Sequence, residues 1–510
     1  MRPLIQFKLF FLAFLLFLAA DLAESEPAPK NQEPVNIVFM IADDWSYPHA
    51  GVYGDEVVRT PTFDKLAREG VLFENAFCAA PSCSPSRAAI LSGRYPHQLE
   101  DAGNLWSIIS NRHPNWVSRL QQAGYHTGKS RKGWGPGDYE RGGYEHNPAG
   151  KDYTDIDAFL KERSPGQPFC YWFGSNDPHR DYDTNSGIKT GMDPMAVEVP
   201  GFLPDLKCVR NDILDYYFEV ERFDRECGNI INSLKEKGLL DNTMVVMTSD
   251  NGMPFPRAKA NLYDYGTRMP LVIYWKGKVI SGIKVASMVN LIDLAPTFLE
   301  AAGLEIPDEI SGRSLLSEMA GKTSSKQRDT VFLERERHAN VRKGNQSYPC
   351  RAVRTKDYLY IRNFEPDRWP AGDPETFQSV GQFGDIDNSI SKFLIMRAGA
   401  SGKGDYYNLA FGKRPGEELY ILSEDPYNLR NMAAKPEYEA IVKKLRSSLV
   451  HWMRTTADRR LEDPQTTFWD EVEYTPDYQF ENFDLQKEIS EYRMLKKKGS
   501  NSYEAIPCME

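Results

Sequence analysis

The chain has 510 residues, of which 41% are hydrophobic and 26% are charged. This composition is that of an ordinary globular protein, and it argues against extended disorder, collagen and a membrane protein. The formal net charge of −10 argues against a general nucleic-acid or polyanion binder, so local basic clusters would have to hold any anionic substrate. A chain of this length exceeds one hydrophobic core, so we expect a large α/β domain and a smaller second one.

The N-terminus predicts an export signal. Arg2 and Lys8 precede an apolar run over residues 9–20, which is shorter than the roughly 20 residues that a membrane-spanning helix needs. We therefore expect residues 1–25 to be a cleaved signal peptide, and the alternative is a retained anchor helix. The mature protein is expected in the periplasm or the extracellular space, or in the lysosome of a eukaryote, without a membrane anchor.

Three apolar runs predict buried strands that end in polar residues. They are residues 36–41, followed by Asp43 and Asp44; residues 169–173, followed by Asp177 and His179; and residues 244–247, followed by Asp250 and Asn251. Ligands of open α/β sheets bind beyond the carboxyl ends of the strands, so these polar side chains could converge on one site.

Between the last two strands, residues 212–237 have apolar side chains at helical spacing, and Gly238 provides a stop signal. These features predict one long helix that packs on the core.

The pattern changes after Lys322. Residues 323–326 are typical of a linker, and the following segments predict a small antiparallel sheet with a packed helix. The predicted strands are residues 331–333, 358–361 and 419–422, and the helix contains Ile441, Leu445 and Leu449. We expect a catalytic domain over residues 34–325 and a smaller C-terminal domain over residues 326–510 that completes the substrate pocket.

The segment CSPSRAAILSGR, residues 83–94, is the most informative part of the sequence. Ser84 and Pro85 predict a helix start, because serine caps free amides and proline suits the first helical position. The side chain of Cys83 would then lie at a helix N-terminus, which favours an anionic substrate and transition state. Arg87, one turn further on, could reach the same place. The alternative is a buried cysteine beside a helix cap.

These residues resemble the signature of the type I sulfatases. The positions in register are Cys83, Pro85, Ser86, Arg87, Leu91, Gly93 and Arg94. The resemblance implies that Cys83 is oxidised to formylglycine by a maturation enzyme, either a formylglycine-generating enzyme or an anaerobic sulfatase-maturing enzyme. It also implies an alkaline-phosphatase-like α/β fold, in which helices flank a large central sheet and a smaller C-terminal domain adds an antiparallel sheet and a helix.

An aldehyde suits sulfate transfer because its hydrate has two hydroxyls on one carbon. One hydroxyl attacks sulfur and becomes sulfated, and the other then collapses to the aldehyde and expels sulfate. This is covalent catalysis in two steps. A plain serine or cysteine lacks the second hydroxyl and could be trapped after the first step.

The strand ends supply an all-oxygen set of metal ligands, Asp43, Asp44, Asp250 and Asn251. Such donors favour Ca²⁺ or Mg²⁺ over zinc. The resemblance implies calcium ahead of magnesium, with the modified Cys83 as a further ligand. The alternative for these acidic residues is a set of turns or solvated pairs.

Three basic residues match positions where sulfatases place sulfate-binding and leaving-group residues. With the signature, the resemblance implies the catalytic residues Cys83, Arg87, Lys132, His179 and Lys259. Sulfatases commonly have histidine two residues after the first of these lysines, whereas this chain has Trp134. The resemblance therefore does not identify the base of the second half-reaction.

Several segments, including NDPHR, SDNGMPFP and SYPCRAV, are most similar to the heparan N-sulfatase group of the family. This implies removal of sulfate from N-sulfoglucosamine in heparan-type glycans through a formylglycine-sulfate intermediate, although Lys259 stands where that group has arginine. Further residues could bind sugar hydroxyls or neighbouring sulfates, and their alternative is a surface ion-pair network. They are Arg335, His338, Arg342, Asp367 and Arg368.

Three other functions remain open at this stage. One is an O-sulfatase acting on another sulfated polysaccharide, and another is a non-catalytic protein that binds sulfated glycans. The third is a phosphatase or phosphodiesterase of the same fold, which would use two metals and several histidines. With only eight histidines, and only His49 beside a carboxylate pair, a two-zinc site is poorly supplied.

Overall fold

The computed structural model describes residues 34–322, 328–375, 381–400 and 405–471, and from Val35 onward these form one compact unit. The expected signal peptide and the expected linker at residues 323–326 lie outside the described residues. The boundary between two domains at residues 325 and 326 stays a prediction.

Fourteen strands lie within the described residues. In chain order they are β1 (Asn36–Ala42), β2 (Val71–Phe77), β3 (Ser107–Ile108), β4 (His126–Arg131), β5 (Gly137–Asp138), β6 (Lys151–Asp152), β7 (Phe169–Gly174), β8 (Thr243–Ser249), β9 (Arg268–Tyr274), β10 (Ile283–Asn290), β11 (Thr330–Arg335), β12 (Cys350–Thr355), β13 (Tyr358–Asn363) and β14 (Glu417–Ile421).

The α-helices of the same part of the chain range from single turns to one of 30 residues. They are α1 (Pro61–Glu69), α2 (Cys83–Ser92), α3 (Trp116–Gln122), α4 (Ile156–Glu162), α5 (Ser186–Lys189), α6 (Lys207–Glu236), α7 (Asp264–Thr267), α8 (Leu294–Ala301), α9 (Leu316–Met319), α10 (Ile390–Ala400), α11 (Asp405–Phe411) and α12 (Glu439–Thr455).

The large sheet has eight strands in the order β10-β2-β9-β8-β1-β7-β4-β6. Strand β9 runs antiparallel to both of its neighbours, whereas β8, β1 and β7 are parallel. Every residue of these three parallel strands is buried, as expected for strands covered on both faces. Their carboxyl ends meet at one edge of the sheet, which confirms the predicted convergence of the three strand ends.

Alternate residues of β1 face two separate hydrophobic cores, because successive side chains of a strand point to opposite faces. Val38 and Met40 pack in the core that contains the apolar residues of α1 and α6. Phe39 and Ile41 pack in the other core, with residues of α2, α3 and α8. The predicted long helix is confirmed as α6, and it begins five residues earlier than expected, at Lys207.

The small sheet is antiparallel, in the order β11-β12-β13-β14, and it packs against α12. Leu445 and Leu449 of the helix lie in the same hydrophobic cluster as Tyr360 of β13. This confirms the predicted sheet and helix. Strand β12 was not predicted, because Arg351 and Arg354 interrupt the apolar pattern expected of a buried strand. Both side chains are nevertheless buried in ion pairs.

Two observations concern membrane spans and cysteines. No helix among the described residues is long and apolar enough to cross a membrane. In the same part of the chain, five cysteines are buried thiols outside any disulfide. They are Cys78, Cys83, Cys170, Cys227 and Cys350.

A buried network of charges ties the segment after α2 to the small sheet. His97 Nδ1 lies 2.5 Å from Glu334 Oε2 in β11. Arg351 in β12 donates to Asp458 at 2.6 Å and to Glu336 at 2.6 Å. Burial favours neutral imidazole, but the carboxylate of Glu334 outweighs it and raises the pKa of His97 above its ordinary value of 6.5.

This raised pKa predicts that the contribution of His97 to stability depends on pH. A raised folded-state pKa gives stability that is fully present below the unfolded pKa of about 6.5 and is lost as the pH rises through the folded value. The difference in free energy of unfolding between wild type and His97→Gln should therefore be largest near pH 5 and shrink as the pH rises above about 6.5. Urea unfolding at a series of pH values measures it.

The exposed His451 provides the control, since His451→Gln should change stability little at any pH. A wild-type advantage over His97→Gln that stays constant across the pH range would contradict the assignment.

Candidate active site

Acidic and amide side chains meet where β1 and β8 end. Asp43, Asp44, Asp250 and Asn251 are each at most 2% exposed. Asp250 Oδ1 accepts hydrogen bonds from the backbone amides of Asp44 at 3.2 Å and Asn251 at 2.8 Å. Asn251 Nδ2 donates to Asp44 Oδ1 at 2.6 Å. Asp44 has a φ of 80°, a conformation that costs an L-residue free energy and is common at functional sites.

Cys83 is the first residue of α2 and points toward this cluster. Its Sγ lies 3.3 Å from Asp43 Oδ1, and the residue is 2% exposed. The side chain therefore sits at the positive end of a helix dipole, as the sequence predicts. Burial and the neighbouring Asp43 carboxylate raise the pKa of the Cys83 thiol well above its ordinary value, so the unmodified thiol is a poor nucleophile.

The predicted helix cap was wrong by two residues. Ser82, with extended backbone, is the N-cap, and Ser84 is the second helical residue, whose hydroxyl donates to the carbonyl of Pro136 at 2.5 Å. Pro85 is then the third helical residue. It fits there because the amides of the first turn have no helical partner.

Each of the three carboxylates pairs with a different cation, of which Arg87 and Lys259 are buried. The pairs are Lys132 Nζ with Asp43 Oδ2 at 2.5 Å, Lys259 Nζ with Asp44 Oδ2 at 2.8 Å, and Arg87 Nε with Asp250 Oδ2 at 2.7 Å. Burial raises the pKa of Asp44 to about 6, whereas Lys132 and His179 overcome burial and hold the pKa of Asp43 well below its ordinary value.

Arg87 also fixes the loop that follows β4. Its guanidinium donates to the carbonyls of Lys132 at 3.1 Å and Gly133 at 2.9 Å, besides its pair with Asp250. The side chain has no exposed surface. Arg87 therefore positions both Asp250 and the lysine that pairs with Asp43.

Lys259 bridges two acids, one of which the sequence analysis missed. Its Nζ lies 2.8 Å from Asp44 Oδ2 and 3.0 Å from Asp387 Oδ2. Asp44, His179 and Asp387 are close enough to share a metal ion. The ammonium group of Lys259, however, already provides a cation between the two carboxylates, which argues against a two-metal site of the phosphatase type.

His179 lies at the margin of the site, with 33% of its side chain exposed. Its Nδ1 is 2.6 Å from the carbonyl of Arg180 and must donate to it, so Nδ1 carries a proton. The other nitrogen, Nε2, lies 3.9 Å from Asp44 Oδ2.

The donor set fits a hard divalent cation. The ligand atoms of Asp43, Asp44 and Cys83 lie within 4.8 Å of one another. Asn251 Oδ1 is buried and has no hydrogen-bond partner within the described residues, which is unusual for a polar atom. A cation bound by Asp43, Asp44, Asp250 and Asn251 would satisfy this oxygen, and carboxylate and amide oxygens suit Ca²⁺ or Mg²⁺.

Two of the predicted substrate-binding residues instead bind a buried acid. Arg335 and Arg342 both donate to Asp385 Oδ2, the latter at 2.5 Å. Both also donate to backbone carbonyls, and both are at most 4% exposed. The network is thus buried rather than on the surface, and a role of these arginines in substrate binding stays a prediction.

The other three predicted substrate-binding residues make different contacts. His338 Nδ1 lies 2.8 Å from Ser82 Oγ, at the N-cap of α2. Burial lowers the pKa of His338 to about 3, so its ring is neutral. Asp367 is exposed, and Arg368 forms a longer ion pair with Asp470 at 3.6 Å. Of this set, the structure brings His338 closest to the reactive helix end by a direct contact.

Two further residues noted in the sequence make structural contacts. The indole of Trp134 is buried and donates to the carbonyl of Ser84 at 3.1 Å, so it braces the first turn of α2. His49 is buried against Tyr216, 3.3 Å from its hydroxyl, and burial lowers the pKa of His49 to about 4.

The buried pair of Arg87 and Asp250 predicts a large loss of stability in Arg87→Ala. Both side chains have no exposed surface, and removing the arginine leaves the Asp250 charge buried without its cation and the Gly133 carbonyl without its donor. We expect a loss of roughly 3–5 kcal/mol in the free energy of unfolding, measured by chemical denaturation.

Arg446→Ala is the matched control, because Arg446 pairs with Glu417 at the surface, with 45% of its side chain exposed. It should cost less than about 1 kcal/mol. Equal losses in the two variants would show that the buried pair does not organise the site.

Comparison with known proteins identifies the family. The Sulfatase family model matches residues 35–304, and the model of the C-terminal region of N-sulphoglucosamine sulphohydrolase matches residues 257–380. Human N-sulphoglucosamine sulphohydrolase is 29% identical over 474 residues, which cover 83% of this chain and 91% of that protein. An ulvan-active sulfatase of Formosa agariphila is 28% identical over 456 residues, which cover 86% of this chain and 84% of that protein.

The fold is also found among solved structures. A protein solved in complex with its substrate, D-glucosamine-2-N,6-O-disulfate, matches with a TM-score of 0.61 and 20% identity, covering 85% of this chain and 100% of that one. Together with the large mixed sheet and the small antiparallel sheet, this confirms the expected alkaline-phosphatase-like fold. Since the family model covers more than half of its residues, the chain belongs to the sulfatase family.

Proposed function

We propose that the protein hydrolyses sulfate from a sulfated saccharide and that its substrate is N-sulfoglucosamine of heparan-type glycans. The observation that carries the proposal is the placement of Cys83, at the N-terminus of α2 and 3.3 Å from Asp43, among the cations Arg87, Lys132 and Lys259. The N-sulfated substrate is supported by the match to the C-terminal region of N-sulphoglucosamine sulphohydrolase and by the human relative of that name.

The chain's own residues would bind and orient the anionic sulfo group. The free amides of the first turn of α2 and the ammonium groups of Lys132 and Lys259 offer positive charge on the side of Cys83. Preorganised charges of this kind stabilise the negative charge that develops on a transferring group. Since Asp43 and Asp44 already balance the two lysines, additional positive charge from a metal ion would be free to act on the substrate.

Formylglycine and a divalent cation complete the proposed site. The formylglycine formed from Cys83 by a maturation enzyme supplies, as its hydrate, the two hydroxyls that sulfate transfer needs. The cation, which we propose to be Ca²⁺, would be held by Asp43, Asp44, Asp250 and Asn251 and would polarise the sulfo group.

Residues at the margin of the site would protonate the leaving group. His179 keeps its Nδ1 proton through the Arg180 carbonyl, so Nε2 can carry a second proton and donate it to the leaving nitrogen or oxygen. Lys259 is the other cation beside Asp44 and can support the same step. Lys132 pairs with Asp43 and keeps that carboxylate charged and oriented.

A proposed location follows from the N-terminus. Residues 1–25 would direct export, so that the enzyme acts in the periplasm, in the extracellular space or in a lysosome. Maturation of Cys83 would then precede folding, because the mature site buries this residue.

An O-sulfatase is the second candidate. The ulvan-active relative is nearly as similar to this chain as the human one, and ulvan is named there as the target. This alternative uses the same site, and only the sugar atom that leaves sulfur differs, which is oxygen and not nitrogen.

The first test combines the state of residue 83 with the choice of substrate. We expect mass spectrometry of the peptide around Cys83, from protein made with a maturation enzyme, to show CHO in place of CH₂SH. Such protein should release sulfate from N-sulfoglucosamine, and Cys83→Ala should lower kcat by at least about 10³-fold. Ion chromatography of sulfate released from N-, 2-O-, 3-O- and 6-O-sulfated saccharides measures the activity and the choice of substrate.

The control is Cys227→Ala, which removes a buried thiol on α6, away from the site, and should remain active. Cleavage confined to the O-sulfated saccharides would refute the N-sulfated substrate and favour the second candidate. Binding of sulfated sugars by an unmodified thiol protein without turnover would instead indicate a non-catalytic binding protein.

The second test concerns the cation. Chelation should abolish activity and lower the thermal midpoint, and Ca²⁺ should restore both better than Mg²⁺. Asp250→Asn should show little shift of its thermal midpoint on adding Ca²⁺, because one charged ligand is lost. Asp241→Asn, at an exposed pair with Lys276, should respond like the wild type. A Ca²⁺-induced shift that is unchanged in Asp250→Asn would refute the assigned ligands.

A further inference from the structure

Most of the site is closed to solvent. Asp387 lies at its margin and has no role in the proposed sulfate transfer. Cys83 and Lys259 are each 2% exposed. The side chains that retain more surface are Lys132 at 18%, Asp387 at 26% and His179 at 33%. A substrate that brings its sulfo group to Cys83 must therefore pass close to these three side chains.

Asp387 is held in a fixed position by its neighbours on both sides. Two residues before it, Asp385 is bound by Arg335 and Arg342. Lys392 of α10 has a fully buried side chain and donates to the carbonyl of Ile386 at 2.7 Å and to Asn388 Oδ1 at 3.1 Å. The loop that carries Asp387 is thus anchored to the core, so this acid is preorganised rather than loosely placed at the surface.

The carboxylate of Asp387 has hydrogen-bonding capacity left. Its Oδ2 accepts from Lys259 Nζ at 3.0 Å, whereas Oδ1 makes no hydrogen bond within the described part of the chain. Lys259 and His179 overcome burial and lower the pKa of Asp387 below its ordinary value, so the group is charged at neutral pH. An ionised carboxylate only accepts hydrogen bonds, and it repels a second sulfate or carboxylate.

Asp387 is a charged hydrogen-bond acceptor next to the site for the anionic sulfo group. It therefore selects which substrate group can lie beside the sulfo group. That group must be a donor, such as a hydroxyl or an amine. In hydrolysis of an N-sulfo group the S–N bond breaks, an S–O bond forms with oxygen from water, and the nitrogen takes up two protons to leave as ammonium. The nitrogen therefore gains positive charge as it leaves, and a hydrogen bond from a cation to a carboxylate is about twice as strong as a neutral one.

We propose that Asp387 determines specificity by accepting a hydrogen bond from the sugar nitrogen that carries the cleaved sulfo group. This rests on the proposed function and deepens it. The released nitrogen becomes cationic in N-sulfated substrates, whereas the oxygen released from an O-sulfated sugar becomes a neutral hydroxyl. Asp387 thus favours N-sulfated over O-sulfated sugars, whereas the other charged residues of the site act on both kinds of substrate alike.

The test compares kinetics in Asp387→Asn, which keeps the shape of the side chain and removes its charge. For N-sulfoglucosamine we expect kcat/KM to fall about 10- to 100-fold, the range for a hydrogen bond between charged groups. For a small aryl sulfate, which offers no such donor, we expect a change below about threefold. Asp405→Asn, at the exposed start of α11, should match the wild type on both substrates.

Equal losses on both substrates would overturn the proposal, because Asp387 would then act only through Lys259. No loss on either substrate would overturn it as well.

A binding measurement separates this proposal from the proposed function. In the Cys83→Ala background, calorimetry should show that Asp387→Asn weakens binding of glucosamine, the product amine, by at least about tenfold. Tight glucosamine binding that depends on Asp387, in a protein whose matured form releases no sulfate, would refute the proposed function alone. Glucosamine binding that does not depend on Asp387, or no binding at all, would refute the specificity role.

Discussion

The site depends on the pairing of buried carboxylates with cations at the ends of two parallel strands. Isolated charges are costly to remove from water, and the carboxylates, Arg87 and Lys259 have almost no exposed surface. Each carboxylate therefore needs a partner with well-defined geometry, and Arg87, Lys132 and Lys259 come from three different segments of the chain. The pairing fixes α2, the loop after β4 and the loop after β8 relative to one another.

The sequence was sufficient to predict the centre of the fold. Continuous apolar runs indicate buried parallel strands, and the polar residues that follow them lie at one sheet edge, as β8, β1 and β7 show. The signature places Cys83 at a helix N-terminus. The sequence indicated Ser84 as the cap, whereas the structure has Ser82 there, because the conformation of the preceding loop determines the cap and periodicity does not report loop conformation.

Residues whose roles arise from tertiary contacts were beyond the sequence. Strand β12 carries Arg351 and Arg354, which are typical of exposed positions and are buried here in ion pairs with carboxylates that include Asp458 and Asp264. Asp387 follows no strand and lies in no periodic pattern, so only its contact with Lys259 reveals it. Arg335 and Arg342 were predicted to bind substrate, and the contact that both make with Asp385 was not predicted.

The position of Lys259 between two acids has a chemical consequence. An ammonium group balances negative charge as a metal ion does, but it has no open coordination position and cannot turn a water molecule into hydroxide at neutral pH. Under the proposed function, the site therefore relies on a nucleophile that the polypeptide itself carries, and not on water activated by a pair of metals. The proposed activity in a cell would then be governed by how completely Cys83 has been converted to formylglycine.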